Sequence, residues 1–140
     1  MNTQDLLTTV INVMTAQKGK DKLVLTEDGY CAVVDNEGFK SPIGACMPDF
    51  VFEAYLAAQP GCHTHDGDVH EVFQVLVECN NDDVVMWAHQ VLMANIDVWP
   101  NIQLAYTSLK GWVPETFVVN IADVAVEHEC DVELMFSQIK

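Results

Sequence analysis

The chain has 140 residues, with 21 carboxylates against six lysines, no arginine, and a formal net charge of −15. A base deficit this deep excludes a direct nucleic-acid binder and a protein held on an anionic membrane, since both need a basic patch to meet phosphates. Half of the residues are hydrophobic and only 19% are charged, which predicts a single domain over 1–140 with one core and a surface partly covered by a partner or a second copy.

Leu6, Leu7, Val10, Ile11 and Met14 recur at helical spacing behind a cap at Asn2 or Thr3, predicting a first amphipathic helix that ends near Gly19. A β pattern follows. Lys22 to Thr26 and Tyr30 to Asp35 are β-favouring runs separated by Glu27-Asp28-Gly29, and Asn36-Glu37-Gly38 supplies a second turn. These runs predict a small antiparallel hairpin or meander near residues 22–47, and with it an α+β fold that is otherwise mostly helical. Pro48-Asp49 opens a helix from Phe50 to Ala58, with Asp49 as its cap, and Gln59-Pro60-Gly61 ends it. Val69, Val72, Phe73, Leu76 and Val77 form the next helical stripe, stopped by Asn80-Asn81. Asn81 or Asp82 caps a helix carrying Val85, Met86, Ala88, His89, Leu92 and Met93, which Trp99-Pro100 breaks. Ile102 to Leu109 reads as a short helix. Pro114 then starts a clear one through Phe117, Val118, Ile121, Val124 and Ala125, and Leu134 to Ile139 reads as a docking tail.

From Ser41 to Leu109 there is no lysine, while nine carboxylates fall in that stretch. Its outer face is expected to be uniformly negative. Asp66, Asp68, Glu71, Glu78, Asp82 and Asp83 are the candidate contacts to a basic partner. The five cysteines, Cys31, Cys46, Cys62, Cys79 and Cys130, are odd in number and contain no CxxC pair, which suits reduced thiols in a cytoplasm. The opening MNTQDLL has no basic n-region and no apolar run reaches 18 residues. A cytoplasmic, non-membrane protein is therefore expected. Trp87, Trp99 and Trp112 read as core or interface anchors.

Gly29-Tyr30-Cys31-Ala32, the turn Asp35-Asn36-Glu37-Gly38, and Lys40-Ser41-Pro42-Ile43-Gly44-Ala45-Cys46-Met47-Pro48-Asp49 resemble a pattern in small, functionally uncharacterised prokaryotic and phage proteins. In that group a Cys-Ala strand precedes an Asp-Gly turn and then a Gly-Cys-Leu-Ile-Pro-Asp segment. Leu104, Ala105, Trp112, Phe117, Ile121, Val124 and Ala125 loosely follow its closing helix. Ser41 and Ala45 stand where the group often has cysteines. The resemblance implies a mixed α+β fold and a phage or bacterial source, so the cytoplasm would be that of a host; it implies no activity. The same residues also read as fold punctuation, with Gly29, Gly38 and Gly44 allowing positive φ or close approach and Cys31, Ile43 and Met47 facing inward.

Cys62-His63-Thr64-His65-Asp66-Gly67-Asp68-Val69-His70 places six potential metal ligands in nine residues. His63 and His65 would project together from an extended loop, with Asp68 and His70 completing a shell for zinc or another divalent metal. The loop resembles the His-x-His-x-Asp-His segment of metallo-β-lactamase-like hydrolases, but Gly67 and Asp68 occupy the positions of that motif's aspartate and third histidine. The same stretch also reads, and more simply, as an acidic loop whose Asp66 or Asp68 caps the next helix and whose histidines are solvated.

No P-loop, GxGxxG stretch or Ser-His-Asp spacing is present, and without arginine the bidentate clamp for phosphate or carboxylate substrates is missing. The sequence therefore predicts an acidic, non-enzymatic interaction protein, phage-encoded, that binds and inhibits a basic, nucleic-acid-binding surface of a host protein and needs no cofactor. The competing expectations are a small metal-binding protein or metal-dependent hydrolase centred on His63, His65, Asp68 and His70, and a structural homo-oligomer.

Overall fold

The computed structural model describes residues 1–17, 22–26, 29–35, 37–58 and 67–139. Among these residues eight α-helices follow one another in chain order: α1 (Thr3–Ala16), α2 (Pro42–Ala45), α3 (Asp49–Ala57), α4 (Val69–Val77), α5 (Asp82–Trp87), α6 (Trp99–Thr107), α7 (Pro114–Glu127) and α8 (Val132–Ser137). A π-helical segment, Ala88–Leu92, and a 3-10 turn, Met93–Asn95, carry α5 on towards α6. None of the described helices is long and apolar enough to cross a membrane.

The expected stripes on α1, α4 and α7 supply buried faces, whereas that from Val85 to Met93 is displaced: Met86, His89 and Met93 are exposed, and Val84 and Val91 are buried beside Ala88 and Leu92 instead. Leu6, Leu7, Val10, Ile11 and Met14 bury one side of α1 against α2, α7 and α8. Val69, Val72 and Leu76 bury α4 against α3 and the π segment, and Phe117, Ile121, Val124 and Ala125 bury α7 against α1 and α6. One apolar cluster runs through all of these faces, with Trp99, Tyr55, Tyr106 and Phe117 as its largest buried side chains. Of the other tryptophans, Trp87 and Trp112 pack against this cluster while only partly buried.

Local chemistry sets the helix starts. The Asn2 side chain accepts from the Asp5 N–H at 2.8 Å, Asp68 Oδ1 accepts from His70 and Glu71, and Asn81 Oδ1 accepts from Asp83 and Val84. Each such cap stabilises its helix by about 1 kcal/mol. Asp49 is not a cap. Pro48 holds that position without a side-chain bond, and Asp49 sits in the first turn of α3. Nor does Trp99-Pro100 break a helix: the pair opens α6, where a proline in the first turn removes an N–H that has no intrahelical partner.

The α+β expectation is overturned. The structure is mostly helical, 64%, with 4% in strands or bridges. The described part of residues 22–47 contains no hairpin, only isolated bridge residues, among them the antiparallel pairs Leu25 to Cys31 and Val34 to Lys40. The turns form as the glycines predict, with Gly29 and Gly38 at φ 86° and 90°. Pairing stops beyond them because other groups take the backbone. The Tyr106 hydroxyl accepts from Val24 N–H at 2.7 Å, the Gln17 amide both accepts from Lys40 N–H and donates to Lys40 C=O, and Gly67 N–H donates to Cys31 C=O. Ala32, Val33 and Val34 are buried in sequence rather than alternately, so no solvent face of a ladder exists. Pro42 then starts α2, a short helix the β reading did not foresee.

Candidate functional site

The acidic candidates divide into two ends of one stripe. Asp68, Glu71 and Glu78, with Gln74 between them, fall at i, i+3, i+6 and i+10 along α4, and all four are exposed. The Gln74 amide donates to Glu78 Oε1 at 2.8 Å. Across the Asn80-Asn81 turn, Asp82 and Asp83 occupy the exposed first turn of α5. Asp66 lies outside the described residues. Four of the five described carboxylates therefore have a local role: Asp68 caps α4, and Glu71, Asp82 and Asp83 meet the positive end of a helix dipole, worth about 0.3–1 kcal/mol each. Glu78, at the C-cap of α4, faces the negative end of that dipole and has no such role.

The proposed metal set is only half described. His63, His65 and Cys62 lie outside the described residues. Asp68 uses Oδ1 to accept the His70 N–H at 3.0 Å and the Glu71 N–H at 3.3 Å, and the His70 side chain is exposed. Among the described residues no three His, Cys, Asp or Glu side chains gather as a metal would require. The other histidines pair elsewhere: His89 meets the Phe73 ring edge-on at 5.1 Å, and His128 Nε2 lies 3.1 Å from the Asn101 amide.

Cys31 is buried and Cys46, Cys79 and Cys130 are half-buried. Burial pushes the Cys46 thiol up to about 12. Burial also raises Cys79, with the neighbouring Glu78 carboxylate adding to the effect, and burial alone raises Cys130. A raised thiol pKa lowers the fraction of nucleophilic thiolate at these three cysteines.

Beside Asp68 lies a cleft of about 420 Å³ between the Gly29–Cys31 turn and α6, lined by Tyr30, Cys31, Asp68, Pro100, Leu104 and Thr107 among others. Its walls are tied together. The Gln103 amide donates to Gly67 C=O, and Gly67 N–H donates to Cys31 C=O at 2.8 Å. A Cβ on Gly67 would stand 2.7 Å from that same carbonyl oxygen, so only glycine permits the approach. Leu104 falls in the short helix expected from Ile102 to Leu109. In the structure its side chain is 63% exposed, because the buried positions of α6 are Trp99, Ile102, Ala105 and Tyr106. Its place off that spacing was the available signal. Tyr30, 70% exposed on a turn far away in sequence, gave none.

No protein-family model, curated protein or solved structure matches this chain.

Proposed function

We propose that this protein is an acidic, non-enzymatic interaction protein that binds and blocks a basic protein surface of the kind that nucleic-acid-binding proteins present. The observation that carries the reading is the lysine-free stretch from Ser41 to Leu109, in which all eight described carboxylates are exposed. Exposed like charge on one stretch of chain, within a net charge of −15, produces a field that accelerates encounter with a positive surface. The test is the association rate with the basic partner as salt is raised from about 0.1 M to about 1 M, over which the Debye length falls from about 10 Å to about 3 Å. A steep fall in on-rate is expected; a rate insensitive to ionic strength refutes the reading.

A second reading, a homo-oligomer, is favoured by one observation. Val119 and Val126, one heptad apart on α7, and Leu134 and Phe136 on α8 are all at least 44% exposed. Light scattering tests it, since a monomer over the working concentration range removes it.

A further inference from the structure

We propose that the cleft between the Gly29–Cys31 turn and α6 receives a lysine or arginine side chain of the basic partner, with its alkyl stem on Tyr30, Pro100 and Leu104 and its charged head at Asp68. The inference rests on the reading of a basic protein target and assigns that target a point of contact. Two of the most exposed large apolar side chains of the molecule, Tyr30 and Leu104, line this one cleft. Among the described residues that line it, Asp68 is the only one with a charged side chain. An apolar wall with a carboxylate at the rim matches a side chain with an apolar stem and a cationic tip. A tyrosine face adds attraction for the same tip.

The competing electrostatic effect is the positive end of α4, which Asp68 caps. That end is equivalent to about half an elementary charge. The Asp68 carboxylate and the exposed Glu71 one turn further on outweigh it, so the rim stays negative. An anionic occupant is repelled there. A wholly apolar one would strip water from Asp68 and the Thr107 hydroxyl without replacing it. The Gln103 and Gly67 ties hold the walls before any ligand arrives, which lowers the cost of binding.

The test uses the full chain, isotopically labelled, titrated with the peptide acetyl-Gly-Lys-Gly-Lys-Gly-amide and with its norleucine-for-lysine counterpart. Lysine-peptide shifts are expected at the amides of Tyr30, Gln103, Leu104 and Thr107. Asp68→Asn keeps the helix cap, since asparagine caps as well as aspartate, and should weaken binding by about two- to five-fold. Leu104→Ser, at an exposed position, should weaken it by a similar factor through lost stem contact. Equal binding of the norleucine peptide overturns the cationic tip. Salt-sensitive binding whose shifts lie on other faces and ignore both variants overturns the cleft while leaving the basic-partner reading intact. Absence of any salt-sensitive binding overturns both.

Discussion

The Val91 carbonyl carries a prediction that can be worked through from distances. It accepts from the Trp99 indole N–H at 3.0 Å and from the Asn95 amide at 3.2 Å, at the point where the chain passes from the π segment to the 3-10 turn. Asn95 is 3% exposed, and it also donates to Met1 C=O at 3.1 Å and accepts from the Thr3 hydroxyl at 3.2 Å. It therefore fastens the start of α1 to the π segment. Asn95→Leu keeps the volume and removes three hydrogen bonds, each worth about 0.5–1.5 kcal/mol. Met1 is exposed and Thr3 partly so, and water replaces part of that loss. A net cost of about 1–2 kcal/mol is expected. Trp99→Phe removes the second donor and some buried volume, at a cost on the order of 2 kcal/mol. In either single variant Val91 keeps one side-chain donor; only the double variant removes both. The double variant should therefore be less stable than the sum of the singles by about 1 kcal/mol. Urea unfolding of the four proteins, with unchanged m-values, measures this coupling. Additivity to within about 0.3–0.5 kcal/mol would refute the shared-acceptor argument.

Three further outcomes follow from single positions. Gly44→Ala places a Cβ 2.3 Å from the buried Val33 carbonyl oxygen, and a loss of about 1–3 kcal/mol is expected in the same assay. Glu129 holds the left-handed position (φ 58°) of a Schellman turn after α7, in which Cys130 N–H bonds Ala125 C=O and Glu129 N–H bonds Val126 C=O; Glu129→Gly should raise the melting temperature, by about 0.5–1 kcal/mol of stability. Burial pushes the Tyr106 phenol and the Cys46 thiol up to about 12, from ordinary values of 10.0 and 9.0. The folded state therefore holds the neutral forms, and the stability they contribute is complete below pH 9 and lost as pH rises towards 12. Unfolding midpoints that stay level across that range would contradict it, and Tyr106→Phe should flatten the part above pH 10.

The helices were legible because their signals are local. Asn2, Asp68 and Asn81 sit one residue before the first residue of their helices, and their caps need nothing from the rest of the chain. Residues 22–47 were misread because their turn glycines and β-favouring runs are equally local, whereas the groups that satisfy their backbone are distant: Gln17, Gly67 and Tyr106. No periodicity test sees a side chain substituting for a strand. The cleft was illegible for the same reason, since α6 and the Gly29–Cys31 turn meet through a glutamine amide and a glycine.

The charge of the chain separates into a part that local structure accounts for and a part it does not. Asp5, Asp49, Glu71, Asp82, Asp83, Glu115 and Glu133 lie in first turns, and Asp68 and Asp131 are caps, all places where a helix dipole or its free N–H groups favour a carboxylate. Among the described residues no α-helix has a basic residue in its last turn, the position the same physics would reward. Glu78 and Glu127 instead stand at the C-terminal ends of α4 and α7, and Glu129 occupies a left-handed position that glycine would fill at lower cost. Folding alone favours a lysine or a glycine at these three positions. Departures from local preference concentrate where a protein meets something else. Charge reversal at these three exposed carboxylates should therefore change partner binding without loss of stability, as Asp68→Asn is expected to do at the cleft while keeping its cap.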